Sequence, residues 1–168
     1  SRATGVYPIK GLLTSARMIR FDDDTNIDQL PCDYSVLDSS LYGINNTYYT
    51  YMTRGCTNKC PWCGVPIIEP QYLPYIDIKP YVLEMRKKYG DKAVLKLMDN
   101  NFLASPYLTK LVEDLVELGY GRGDTTDSNI PKGRSIDFNQ GLDATHVNRE
   151  NMELLAQLNI KPMRIAFD

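Results

Sequence analysis

Thr47-Tyr48-Tyr49-Thr50-Tyr51-Met52-Thr53 runs directly into Arg54-Gly55-Cys56, and this junction decides how the chain is read. Aromatic and β-branched residues dominate the first seven positions, which is the composition of a strand. Arg54 and Gly55 then break the run. The loop they open carries Cys56, Cys60 and Cys63 in the pattern C-x3-C-x2-C. A strand that feeds a polar, glycine-bearing loop from its carboxyl end is the repeating feature of parallel α/β architectures, whose sites lie at those ends.

The same alternation continues downstream. Val82, Met85 and Tyr89 at helical spacing, with Gly90 as a stop, predict a helix over Lys79–Tyr89. Ala93–Met98 reads as a short buried strand ending in Asp99-Asn100-Asn101. Ser105-Pro106 predicts a helix start, because Ser caps free N–H groups and Pro is preset for a first turn. Leu108, Leu111, Leu115 and Leu118 form the apolar stripe of that helix, and Gly119 closes it. A polar loop from Gly121 to Arg134 leads to a third strand, Ser135–Asn139, followed by Gln140-Gly141. Asn148 is a candidate cap for a helix burying Met152, Leu155 and Leu158, and Pro162–Asp168 reads as a fourth strand. The order β-α-β-α-β-α-β predicts an α/β fold: a partial (β/α) TIM-like barrel of about four parallel strands with helices outside. No helix follows the last strand, so the pattern predicts a barrel cut short, with a complete four-stranded open sheet as the alternative.

Residues 1–46 show no sustained period and are expected to be a lead-in or the remnant of a preceding domain, with 47–168 as the core domain. Asp22-Asp23-Asp24 reads as a solvated loop.

The 168 residues include 19 Lys+Arg against 21 Asp+Glu, a net charge of −2, with 43% apolar residues. That balance argues against a protein that wraps a polyanion, and the apolar fraction argues against a disordered chain. Arg86-Lys87-Lys88 reads as the wet face of a helix, so nucleic acid is not indicated. No membrane span or hydrophobic signal core is read, and a cytoplasmic location is expected.

Three of the four cysteines fall within eight positions, which is not how a secreted disulfide scaffold distributes them. Thiolates are the natural ligands of iron–sulfur clusters, and one tight loop can aim three of them at one point. Three ligands on a four-iron cubane leave one iron open, and an open metal position binds and polarises a substrate. The alternative is structural zinc, for which Cys32 or His146 would have to supply the fourth ligand through folding. Arg54 either tunes the cluster or pairs with a carboxylate.

The segment Cys56-Thr-Asn-Lys-Cys60-Pro-Trp62-Cys63 resembles the signature of the radical S-adenosylmethionine (SAM) enzymes, including the aromatic residue before the third cysteine. Asp33–Asp38, Tyr42-Gly43 and Thr53–Cys56 resemble the linker and first strand of members with a cobalamin-type domain upstream. Met98–Phe102 and Phe138–Asp143 are similar to the second and third strand ends of that group. The resemblance covers roughly residues 31–168. It implies a radical SAM type of partial barrel in which Cys56, Cys60 and Cys63 hold a 4Fe–4S cluster whose open iron chelates SAM. It also implies a one-electron reductive cleavage of SAM to methionine and a 5′-deoxyadenosyl radical that takes hydrogen from a substrate, here unknown. The electron would come from a low-potential donor such as a flavodoxin or ferredoxin.

By the same resemblance Trp62 would sit against the adenine, its backbone the closer contact. Asp99 and Asn100 stand where family members often carry Gly-Gly-Glu for the methionine amino group. Asp168 falls where a strand-four residue would meet the ribose, and Asn139 and Gln140 face the same mouth. Cobalamin itself is not expected, because its Asp-x-His-x-x-Gly motif is absent and the one histidine, His146, lies beyond the cysteines. The alternatives to an enzyme are a truncated, non-catalytic cluster-holding module and a zinc-stabilised interaction domain.

Overall fold

A computed structural model describes residues 32–36, 46–124 and 133–167. Three parallel strands form its centre: β1 (Thr47–Thr50), β2 (Val94–Leu97) and β3 (Ser135–Phe138), in the spatial order β1-β2-β3. Their register pairs Tyr48 with Leu95 and Leu95 with Ile136. Because side chains alternate across a strand, Tyr48, Leu95, Leu97, Ile136 and Phe138 share one face. That face is sealed, with each of the five at 2% exposure or less.

The helices close over it. Within the connection from β1 to β2 lie a single turn, α1 (Val65–Ile68), and α2 (Lys79–Tyr89). Pro80 sits in the first turn of α2, where its missing N–H costs nothing, and Gly90 ends the helix at φ 79°. Val82 and Met85 are buried as the spacing predicts, while Tyr89 is half-buried. The next helix, α3 (Leu108–Leu115), buries Leu108, Leu111, Val112 and Leu115. It begins later than Ser105-Pro106 suggests. Phe102–Ala104 forms a 3-10 turn that buries Phe102 and Leu103, and Ser105 Oγ accepts from the Tyr107 N–H at 3.1 Å while donating to the Pro74 carbonyl. Ser105 therefore does not cap the helix: Tyr107 is the N-cap and has no side-chain cap bond, and the Ser hydroxyl instead holds the turn two residues before it. A π-turn over Val116–Tyr120 finishes α3, with Gly119 at φ 83° as the stop.

After β3 the chain turns at Asn139-Gln140-Gly141 and enters a two-residue strand, β4 (Leu142–Asp143). The last helix, α4 (Arg149–Leu155), is capped by Asn148, whose side-chain oxygen accepts the Asn151 N–H at 2.9 Å. Leu155 and Leu158 are buried and Met152 packs against the core.

Of the fourth strand expected over Pro162–Asp168, Ile165–Ala166 is strand, and an isolated parallel bridge to β3 at Ile160 lies upstream of the expected bounds. In that pairing Ile136 N–H donates to the Asn159 carbonyl at 2.9 Å, and Lys161 N–H to the Ile136 carbonyl at 2.8 Å. Pro162, which has no N–H for a ladder, interrupts it. Pairing resumes in β5 (Ile165–Ala166), parallel to β4 with Leu142 opposite Ile165. The two-residue β4 was not legible from periodicity, since two residues carry no period. Among the described residues the sheets form no closed barrel.

Of the segment read as a lead-in, residues 32–36 are described. Tyr34 there packs edge-on against Tyr48 and Tyr89, and its hydroxyl accepts the Tyr49 N–H at 2.7 Å. The boundary expected at residue 46 adjoins residues 37–45, which lie outside the described residues. No described helix is long and apolar enough to cross a membrane.

Candidate functional site

The cysteine loop is a closed excursion between two paired positions. Arg54 N–H donates to the Leu73 carbonyl at 3.0 Å and Leu73 N–H returns to the Arg54 carbonyl at 2.8 Å, so residues 55–72 leave and re-enter at one point. Gly55 makes this closure possible. It adopts φ 73°, and a Cβ there would lie 2.6 Å from the Gln71 carbonyl oxygen.

Glu69 locks the neck. Its carboxylate accepts from Arg54 Nε at 2.6 Å, from Gly55 N–H at 2.7 Å and from Asn100 Nδ2 at 3.0 Å. Both side chains of the Arg54–Glu69 pair are 10% exposed, and the guanidinium also lies 4.2 Å from the Tyr51 ring centre. Arg54 thus takes the carboxylate-pairing role, inside the neck rather than on the surface.

Within the excursion, Cys60-Pro61-Trp62-Cys63 makes a turn in which Cys63 N–H donates to the Cys60 carbonyl at 3.0 Å. Two sulfurs already receive backbone N–H groups: Asn58 N–H to Cys56 Sγ at 3.3 Å and Val65 N–H to Cys63 Sγ at 3.4 Å. Amides that point at sulfur stabilise negative charge on it. None of the three cysteines is in a disulfide, and all are half-buried.

They line one cavity of about 270 Å³. Its other walls include Asn100 and Asn101 after β2, Gln140 and Gly141 after β3, Asp143 at the end of β4 and Ala166 in β5. The cavity therefore sits at the carboxyl ends of the parallel strands, where the strand-loop pattern places a site. Charge enters from Asp143. Burial pushes its carboxyl up, but hydrogen bonds from Thr145, Asn58 and Asn101 outweigh this and hold it below the usual range. An ionised carboxylate thus stands in the wall.

The other residues read from the sequence divide. Asn100 and Gln140 line the cavity, and Asn100 is also tied to Glu69. Trp62 is 72% exposed and is not part of the wall. Asp99 does not line the cavity. Its carboxylate, 3% exposed as a residue, accepts from the Met52 and Thr53 N–H groups and the Thr53 hydroxyl, joining the ends of β1 and β2. Asn139 is half-buried outside the wall, and its N–H extends the sheet to the Leu97 carbonyl at 3.0 Å. Asp168 lies outside the described residues.

Neither zinc partner considered above joins the sulfurs. Cys32 is exposed, and neither it nor His146 lines the cavity; His146 Nε2 stands 4.0 Å from Asp143 Oδ2. Asn58, Asn101 and Asp143 are the wall residues that sequence reading did not single out. Asn101 closes the Asp99-Asn100-Asn101 run and Asp143 closes Phe138–Asp143, both quoted strand ends, but nothing in the sequence shows that they meet.

The donor set suits a thiophilic cluster: three cysteines outside any disulfide share one open cavity beside amide side chains, and backbone N–H groups point at the sulfurs of Cys56 and Cys63. The sulfurs are gathered but not drawn into a closed cage. No group of three or more His, Cys, Asp or Glu side chains among the described residues is disposed to hold a single metal ion. In comparisons with protein-family models, with curated proteins and with solved structures, none matches the chain.

Proposed function

We propose that this chain is a radical SAM-type protein in which Cys56, Cys60 and Cys63 hold a 4Fe–4S cluster and the surrounding cavity admits SAM. One observation carries the reading: three cysteines from an eight-residue stretch line a single cavity at the carboxyl ends of parallel strands, and Cys32 does not join them. The αβ order and the parallel pairing of β5 with β4 support an accompanying proposal, that the sheet is a portion of a (β/α) barrel.

When bound, the cluster supplies one low-potential electron for reductive cleavage of SAM to methionine and a 5′-deoxyadenosyl radical that abstracts hydrogen from a substrate. The chain's own residues hold and orient. Asn58 and Val65 N–H groups stabilise charge on the sulfurs of Cys56 and Cys63. Asn100 and Gln140 present amides to polar groups of a molecule in the cavity. Asp99, committed to β1, holds the strand ends that carry the loop. The cysteine-bearing turn with Pro61 and Trp62 exposed offers a short route for an electron from a flavodoxin- or ferredoxin-type donor, and a cytoplasmic setting suits such donors.

The test is electron paramagnetic resonance of the anaerobically reconstituted, reduced chain with and without SAM, together with iron and sulfide analysis. The expected result is a cubane signal that changes when SAM is added, lost on Cys56→Ser, Cys60→Ser or Cys63→Ser and retained on Cys32→Ser. A cubane signal indifferent to SAM would leave a cluster-holding module without this chemistry. Stoichiometric zinc with no cluster would overturn the reading.

A further inference from the structure

Three segments distant in sequence meet at one carboxylate oxygen. Asp143 Oδ2, at the end of β4, accepts from Asn58 Nδ2 in the cysteine loop at 2.7 Å and from Asn101 Nδ2 after β2 at 2.9 Å. The same Asn101 nitrogen lies 3.5 Å from Cys56 Sγ and 3.4 Å from Thr57 Oγ1. A side-chain amide has two hydrogens. The carboxylate takes one in a charge-assisted bond, and the other is left between the sulfur and the hydroxyl.

The far end of the amide explains why this orientation matters. Asn101 is 1% exposed, and its Oδ1 is buried with no hydrogen-bond partner. A buried orphan acceptor in a folded protein needs a cause. Turning the amide over would set its carbonyl oxygen against the Asp143 carboxylate, acceptor against acceptor. Asp143 therefore dictates the orientation that leaves Oδ1 without a partner, and that orientation is the one that aims an N–H at Cys56.

We infer that Asn101 is a positioning residue for the cluster site: its side-chain N–H, held by Asp143, hydrogen-bonds the sulfur of Cys56 and raises the reduction potential of the cluster. The inference rests on the reading of Cys56 as a cluster ligand. An N–H directed at a ligating sulfur favours the reduced state, which carries one more negative charge, and such bonds are among the means by which a protein sets cluster potential. Asn58 plays a different part, mooring the loop between Cys56 and Cys60 to the same carboxylate.

The experiment is a potentiometric titration, followed by electron paramagnetic resonance, of the anaerobically reconstituted full chain and its variants. Asn101→Leu is expected to move the midpoint to a more negative potential and lower the reduced fraction several-fold at a fixed poise; tenfold corresponds to ~59 mV for one electron. In an Asp143→Leu background the amide is free to turn, so Asn101→Leu is expected to add nothing further. Additive shifts would overturn the role of Asp143. Should Asn101→Leu fail to fold, wild-type protein labelled with nitrogen-15 at the asparagine side chain serves instead. Pulsed resonance of its reduced cluster is expected to show a nitrogen-15 coupling, and absence of the coupling overturns the inference. A wild-type cluster whose potential is unchanged by Asn101→Leu defeats the inference while the cluster reading stands. Failure of wild type to form any cluster defeats both.

Discussion

Asp99 provides a stability experiment whose sign is opposite to that of an ordinary surface carboxylate. It is 3% exposed, and burial, only partly offset by hydrogen bonds from Thr53 and Met52, pushes its carboxyl from 3.8 up to about 6. The folded state thus binds this proton more tightly than the unfolded state does. Between the unfolded value of 3.8 and the folded value of about 6, folded molecules carry more protons at this position, so its contribution to stability falls as pH rises. Below that window the cost is absent; above it the cost is constant. The interval corresponds to roughly 3 kcal/mol, at ~1.4 kcal/mol for each pH unit. Asp99→Asn removes the titration while leaving an oxygen to accept from the β1 amides. Urea unfolding of both proteins from pH 4 to pH 7 checks it. The variant is expected to gain on the wild type by roughly 2.5 kcal/mol across that range, the unfolded carboxyl being already half ionised at pH 4, whatever its offset there. Taking the difference removes the groups common to both, including Asp143, whose lowered value acts in the opposite direction. Parallel profiles for the two proteins would refute the argument, because they would mean that Asp99 titrates alike in the folded and unfolded states.

Three further changes probe the neck and the capping of the fold. Gly55→Ala places a methyl against the Gln71 carbonyl in left-handed backbone and is expected to cost about 2 kcal/mol or more in urea unfolding; a cost under ~0.5 kcal/mol would show that the excursion opens freely. Glu69→Ala strands a largely buried Arg54 and is expected to cost about 3 kcal/mol, with a smaller loss for Glu69→Gln, read by the same assay. Asn148→Ala removes the cap of α4 and is expected to cost ~1 kcal/mol in thermal or urea unfolding, with the metal content of the reconstituted protein unchanged.

Much of the fold was legible because its elements announce themselves over short windows. Tyr48 is part of an aromatic and β-branched run, Leu95 of a short apolar run and Ile136 of the strand read at Ser135–Asn139, and the leucines of α3 recur at a helical interval. The places where reading and structure part have physical causes. Ser105 reads as a helix cap, but its hydroxyl is taken up between the Pro74 carbonyl and the Tyr107 N–H, and α3 starts at Leu108 with Tyr107 as its N-cap. Where a strand was expected over Pro162–Asp168, pairing with β3 occurs earlier, at Ile160, stops at Pro162, which has no donor for a ladder, and resumes at Ile165–Ala166 against β4. Asp99 reads as a group at a strand mouth, yet its carboxylate turns back to the β1 amides because two buried N–H groups there have need of an acceptor.

The chain alone determined which atoms are proposed as cluster ligands: thiols at C-x3-C-x2-C are a property of covalent order, and the loop carrying them is announced by the strand before it and the glycine between. It also determined the αβ alternation, since hydrophobic period is local. The surroundings of those thiols were decided by tertiary structure alone. Asn58, Asn101 and Asp143 come together only because parallel strands bring their carboxyl ends to one side of the sheet, so residues separated by 85 positions share a hydrogen bond. Sequence specifies each amide and carboxylate, but hydrogen bonds act over about 3 Å, and which groups come within that reach is set by the packing of the sheet.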